Sequence, residues 1–100
     1  SLGGLALLVS LALPVLVSAQ NEAPTCVAIR HEARWGVDGY NHIVIVSNGC
    51  ERRVQCRIAT NVNPQETRVT VSPGAATETV TFLGSPAREF TPRVSCVEDT

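Results

Sequence analysis

Four cysteines, at positions 26, 50, 56 and 96, limit what this 100-residue chain can fold into more than any other feature. They follow an uncharged stretch, SLGGLALLVSLALPVLVSAQ, whose Leu2 to Val17 portion is apolar. Val17-Ser18-Ala19 supplies the small-x-small ending of a secretory cleavage site. Residues 1–19 therefore read as a signal peptide, truncated at its start because no Met or basic segment precedes the apolar run, and residues 20–100 as a single domain. As a membrane anchor the run is short and broken by Pro14, so the expectation is cleavage, with no stable membrane insertion afterwards. A domain of this size buries only about 60% of its unfolded surface. Its core needs staples, and an even number of cysteines in an exported chain predicts two disulfides. The expected location is extracellular or periplasmic.

Hydrophobic patterning then sets the fold class. Thr25 to Glu32 reads as a strand with Val27 and Ile29 on one face, after a loose polar stretch from Gln20 to Pro24. Ala33 to Tyr40 holds two glycines and an Asp-Gly and reads as a loop. Asn41 to Ser47 carries the apolar run Ile43-Val44-Ile45-Val46 and suits a central strand. Asn48-Gly49 is a hairpin signal, but a two-residue turn would set Val44 to Val46 against Arg53, Arg52 and Glu51. A longer loop from Asn48 to Arg53 pairs Ser47 with Val54, Ile45 with Cys56 and Ile43 with Ile58. Further strands are expected at Glu66 to Ser72 with Val69 and Val71 inward, at Ala76 to Leu83 with Val80 and Phe82 on one face, and at Arg88 to Val97. In the last, Pro92 implies an edge or a bulge. About six short strands, no helical period and regular turn signals predict an all-β fold: a small antiparallel β-sandwich of immunoglobulin-like or Greek-key type.

Three cysteine pairings are possible. A hairpin around Gly36 would bring Cys26 near Cys50, and a third strand antiparallel to the last would bring Cys56 near Cys96; this is the preferred scheme. Cys50–Cys56 with Cys26–Cys96 is the competitor.

The chemistry-bearing residues are few. Eight basic residues, all Arg, and nine acids leave no basic stripe for nucleic acid. His31 and His42 are the only histidines, and each falls near a predicted strand end on a solvated surface. No Met is present as an axial copper ligand, and no Cys/His spacing fits zinc, so no metal or other cofactor is expected. No nucleophile motif is present, and the acids are scattered. The chain is not expected to be an enzyme. Arg34, Trp35 and Tyr40, with the only Trp and the only Tyr, are the candidate binding residues, because Arg and aromatic side chains anchor interfaces. The competing reading makes Trp35 and Tyr40 the plug of a small core. Thr77, Thr79 and Thr81 form a one-face row, read as a solvated face.

The stretch from Tyr40 to Cys96 resembles small exported bacterial proteins of the myxobacterial type that have no known activity. The shared features are Asn48-Gly49-Cys50 followed after five residues by Cys56, the sequence ATNVNPQ at 59–65, and FLGSPAREFTPRVSC at 82–96. The resemblance implies an exported, disulfide-bonded β domain and brings no functional residue with it. The expected function is a monomeric, non-catalytic binding or structural module for a protein or cell-envelope partner. The alternatives are a periplasmic copper or zinc carrier using His31 and His42, or a small secreted hydrolase.

Overall fold

The computed structural model describes residues 21–100, so the expected leader lies outside the described residues. Seven strands follow in order: β1 (Asn21–Glu22), β2 (Val27–Trp35), β3 (Tyr40–Asn48), β4 (Val54–Thr60), β5 (Thr67–Val71), β6 (Ala76–Ser85) and β7 (Pro92–Glu98). They form a sandwich of two sheets, β2-β3-β6 and β1-β7-β4-β5. The expected all-β sandwich is what the chain forms. Every pairing is antiparallel except that of β1 with β7. Four connections cross between the sheets, β1 to β2, β3 to β4, β5 to β6 and β6 to β7, and interlock them in Greek-key fashion.

The core lies between β3 and β4. Val44 and Val46 of β3 pack with Val54, Cys56 and Ile58 of β4, Val71 of β5, and Val94 and Cys96 of β7. This corrects the expected β3–β4 hairpin. β3 is hydrogen-bonded on both edges already, to β2 and to β6, so β4 meets it face to face and not edge to edge. The five residues after Asn48 turn a corner between sheets. Asn48 holds that corner from inside: its Nδ2 donates to the carbonyls of Arg52 and Val71, both at 2.9 Å, and its Oδ1 accepts from the Cys50 N–H at 2.8 Å. A buried amide can satisfy several turn groups at once, which a two-residue hairpin would not need.

The face of β3 that turns away from the core is buried as well. Ile43 and Ile45 are 3% and 2% exposed. Their cross-strand neighbours are Glu32 and Arg30 on β2, and Val80 and Glu78 on β6. Arg34 of β2 reaches across to Glu78 of β6 with two parallel hydrogen bonds of 3.1 and 2.9 Å, so charged side chains span the isoleucines from both flanks. Long charged side chains commonly shield apolar surface with their methylene stems.

Three other expectations change. Asn21–Glu22 is not loose: it pairs in parallel with Val94 and Ser95, and Asn21 Oδ1 accepts the Val94 N–H at 3.0 Å. β7 begins only at Pro92, with β4 along its whole length and β1 on its other side. Proline at the first position of a strand leaves a donor missing where the ladder starts. In β6 the faces are reversed from the alternation read in sequence. Thr79 and Thr81 are buried, while Val80 is half exposed on the outer face. Register shifts on either side of His42 make a bulge at Thr81, after which Phe82 stands opposite His42. Thr81 compensates for its burial by donating Oγ1–H to the His42 carbonyl.

Candidate functional site

The β2–β3 hairpin defines one end of the sandwich. Its loop is shorter than expected: Trp35 pairs with Tyr40, and only residues 36–39 turn. The Gly36 N–H donates to the Gly39 carbonyl at 2.7 Å and closes the turn. Gly39 has φ +139°, and a Cβ there would stand 2.7 Å from the Ser85 carbonyl oxygen. A side chain fits neither that dihedral nor that space. The turn is thereby pressed against the end of β6, where Gly84 (φ +71°) donates its N–H to Asn41 Oδ1 at 3.1 Å.

The three candidate binding residues divide over two faces. Arg34 lies on the outer face of the β2-β3-β6 sheet, beside Glu32 and Glu78. Both carboxylates accept from its guanidinium, so neither is a free acid or base. The hydrogen bond from Arg34 holds the Glu78 carboxyl below its usual range, assisted by the positive charges of Arg34 and Arg30. The hydrogen bonds from Glu78 and Glu32 raise the affinity of Arg34 for its proton further. Trp35 and Tyr40 lie on the other face and meet edge to face, with ring centroids 4.8 Å apart. Trp35 is 72% exposed and Tyr40 is half-buried. Trp35 is therefore no core plug; β2 carries it past the region where the second sheet covers the first.

Two residues that the sequence reading did not single out join this end. Val37, at the turn, is 98% exposed, and Leu83, on β6, is 70% exposed. They line an open cleft of about 300 Å³ with Asp38, Asn41 and Gly84. The signal available in sequence was a valine inside a Gly-x-x-Gly turn, a position with nowhere to bury it. Leu83 was hidden by the bulge at Thr81, which reverses the side-chain alternation along β6.

The histidines do not form a ligand pair. His42 is fully buried, correcting its expected surface position. Its ring stacks on Phe90 at 4.1 Å, and Nε2–H donates to the Ala87 carbonyl at 2.7 Å. Its Nδ1 is buried without a hydrogen-bond partner. His31 meets the same Phe90 ring edge-on at 4.9 Å, so the phenyl ring lies against both imidazoles. Among the described residues, the one group of three close metal-ligating side chains is Cys26, Cys50 and Glu98, and both of its sulfurs are bonded to each other. The structure pairs Cys26 with Cys50 and Cys56 with Cys96. Cys56 and Cys96 stand directly opposite on β4 and β7, while the Gly49 N–H donates to the Cys26 carbonyl beside the other bridge.

Compared with known protein families, with curated proteins and with solved structures, the chain matches none.

Proposed function

We propose that this domain is an exported, non-catalytic recognition module that meets a protein or cell-envelope partner with the hairpin end of its sandwich. The observation that carries this reading is Trp35: a large aromatic ring, fixed against Tyr40 yet 72% exposed. An aromatic side chain held rigid before binding loses little freedom on contact, and aromatic anchors carry much of the energy of interfaces. Two disulfides and the interlocked sheets make the scaffold under it rigid. They also suit an oxidising compartment.

The test is affinity capture from an exported or envelope fraction with disulfide-intact protein, wild type beside Trp35→Ala. The variant is expected to lose the partner while its melting temperature stays within about 2 °C, as for surface substitutions in a domain of this size. A drop of many degrees with capture retained would return Trp35 to a structural role.

A further inference from the structure

We propose that the outer edge of β2 is an interface for a second copy of this chain, which the sequence led us to expect as a monomer. The two copies pair along β2, antiparallel and in one register, and join their three-stranded sheets into one of six strands. This interface is independent of the recognition reading above.

Backbone parity is the first argument. β2 ends the β2-β3-β6 sheet and has β3 on one side only. At one end of the β2–β3 pair the Gly36 N–H donates to the Gly39 carbonyl, and at the other the Gly49 N–H donates to the Cys26 carbonyl. Hydrogen-bonded positions alternate with non-hydrogen-bonded ones in an antiparallel pair. The even-numbered residues of β2 therefore bond to β3, and the odd-numbered ones turn N–H and C=O to the open edge. Val27 uses its N–H on the Pro24 carbonyl. Among the described residues, no loop or side chain bonds to the edge groups of Ile29, His31, Ala33 or Trp35. A nine-residue edge without proline or register shift is a template for another strand. The other edge of the sheet is protected: β6 bulges at Thr81, whose carbonyl accepts from Asn63 Nδ2 at 2.7 Å. In the second sheet the edge strands β1 and β5 have only two and five residues.

Charge is the second argument, and it selects the occupant. Laid antiparallel on a copy of itself with His31 opposite His31, β2 overlaps over its whole length. Ile29 of one copy then bonds opposite Ala33 of the other. Arg30 of each copy stands opposite Glu32 of the other, once on either side of the two-fold axis. Both are non-hydrogen-bonded positions, where opposed Cα atoms are about 4.5 Å apart and side chains come closest. Opposite charges directly across a ladder stabilise it, and like charges destabilise it. The Arg30 side chain is 68% exposed and so is open to a second carboxylate beside that of Glu32. Sliding the copies by two residues either way sets Arg30 against Arg30 or Glu32 against Glu32. Sliding by one residue exchanges the faces. A second copy supplies the matching charges by symmetry, because in a two-fold interface each residue of a pair meets the other twice. Trp35 lies beyond the central rungs, and the antiparallel arrangement sends the two hairpin ends in opposite directions.

Sedimentation equilibrium over a dilution series tests this with the full chain, expressed for export with both disulfides formed. The wild type should show a monomer–dimer equilibrium. Arg30→Glu and Glu32→Arg, each alone, set like charges opposite on both sides of the axis. Each should weaken association at least about tenfold, with the β-sheet circular dichroism unchanged. Mixing the two variants restores opposite charges at both positions, and the dimer mass should return as a one-to-one heterodimer. A wild type that stays monomeric at every concentration overturns the proposal. Dimerisation that both reversals leave intact also overturns it, as does a mixture that regains no dimer. Trp35→Ala separates this interface from the recognition reading, since it should lose the captured partner and still dimerise. A monomeric Trp35→Ala would move the contact to the hairpin end and overturn the edge pairing.

Discussion

His42 shows how this small core uses a polar side chain as filler. The domain has only two phenylalanines, and one of them, Phe90, lies in the connection after β6 and not in a strand. The imidazole of His42 stacks on that ring and ties the same connection through the Ala87 carbonyl. Removing the ring in His42→Ala leaves a cavity and an unpaired carbonyl, with an expected loss of about 3 kcal/mol in urea unfolding. His42→Phe keeps the aromatic volume and forfeits only the hydrogen bond, so it should recover more than half of that. Equal losses in the two variants would show that the hydrogen bond, and not the stack, holds the segment. None of this was legible in the sequence, where His42 sits between polar Asn41 and apolar Ile43 at the start of a strand. Its burial depends on a distant loop folding over it. Asn48 is the opposite case. Its place before a glycine marked a turn correctly, but the burial of its amide follows from the crossover between sheets, which no local signal announces.

At the scale of strands, period-two alternation predicted existence better than orientation. β3 was recognised as central because both of its faces are apolar. Which face meets the second sheet was not decidable from it alone. The valines face the core, and the isoleucines lie under Arg34 and Glu78. β6 misled because its threonines and its Val80 both have high β propensity, and the bulge at Thr81 changes the alternation midway. The Arg34–Glu78 clamp is a device of this scale, since it joins the outer strands of one sheet across the middle one. Its pH dependence has a definite sign. Glu78 ionises more readily in the folded state than in the unfolded chain. Its contribution is therefore present at neutral pH and is lost as pH falls through its depressed folded range. Arg34 stays charged throughout and adds no pH dependence. The difference in melting temperature between wild type and Glu78→Gln should accordingly be largest at neutral pH and shrink in acid. A difference that stays constant with pH would mean that the substituted amide fails for lack of shape complementarity and not for lack of charge.

For the whole molecule, the compartment argument came from the apolar leader and the four cysteines, while the fold class came from the short alternating segments, which imply a sandwich. The hairpin end was legible as a concentration of aromatic and Arg residues. Its division into two faces was not, because the glycines suggested a loop where the strands continue to Trp35. The two bridges differ in their surroundings, and this has a measurable consequence. Cys56 and Cys96 are 2% and 5% exposed between the sheets, and their bridge joins two central strands over 40 residues. Cys26 lies in the segment before β2 and reaches the surface, and its bridge to Cys50 closes 24 residues at the rim. Chain entropy alone makes them nearly equal, about 3.5 kcal/mol for the shorter loop and about 4 kcal/mol for the longer. Access decides their order of reduction, because exchange requires a thiolate to reach a sulfur. Under graded dithiothreitol with alkylation and peptide mapping, Cys26 and Cys50 should be labelled first in a protein that is still folded. Cys56 and Cys96 should appear only together with the loss of β structure by circular dichroism. Labelling of Cys56 and Cys96 before that loss would mean that the two sheets separate locally without unfolding, and that the interlocking of β3 with β6 and β4 with β7 is not what makes the sandwich cooperative.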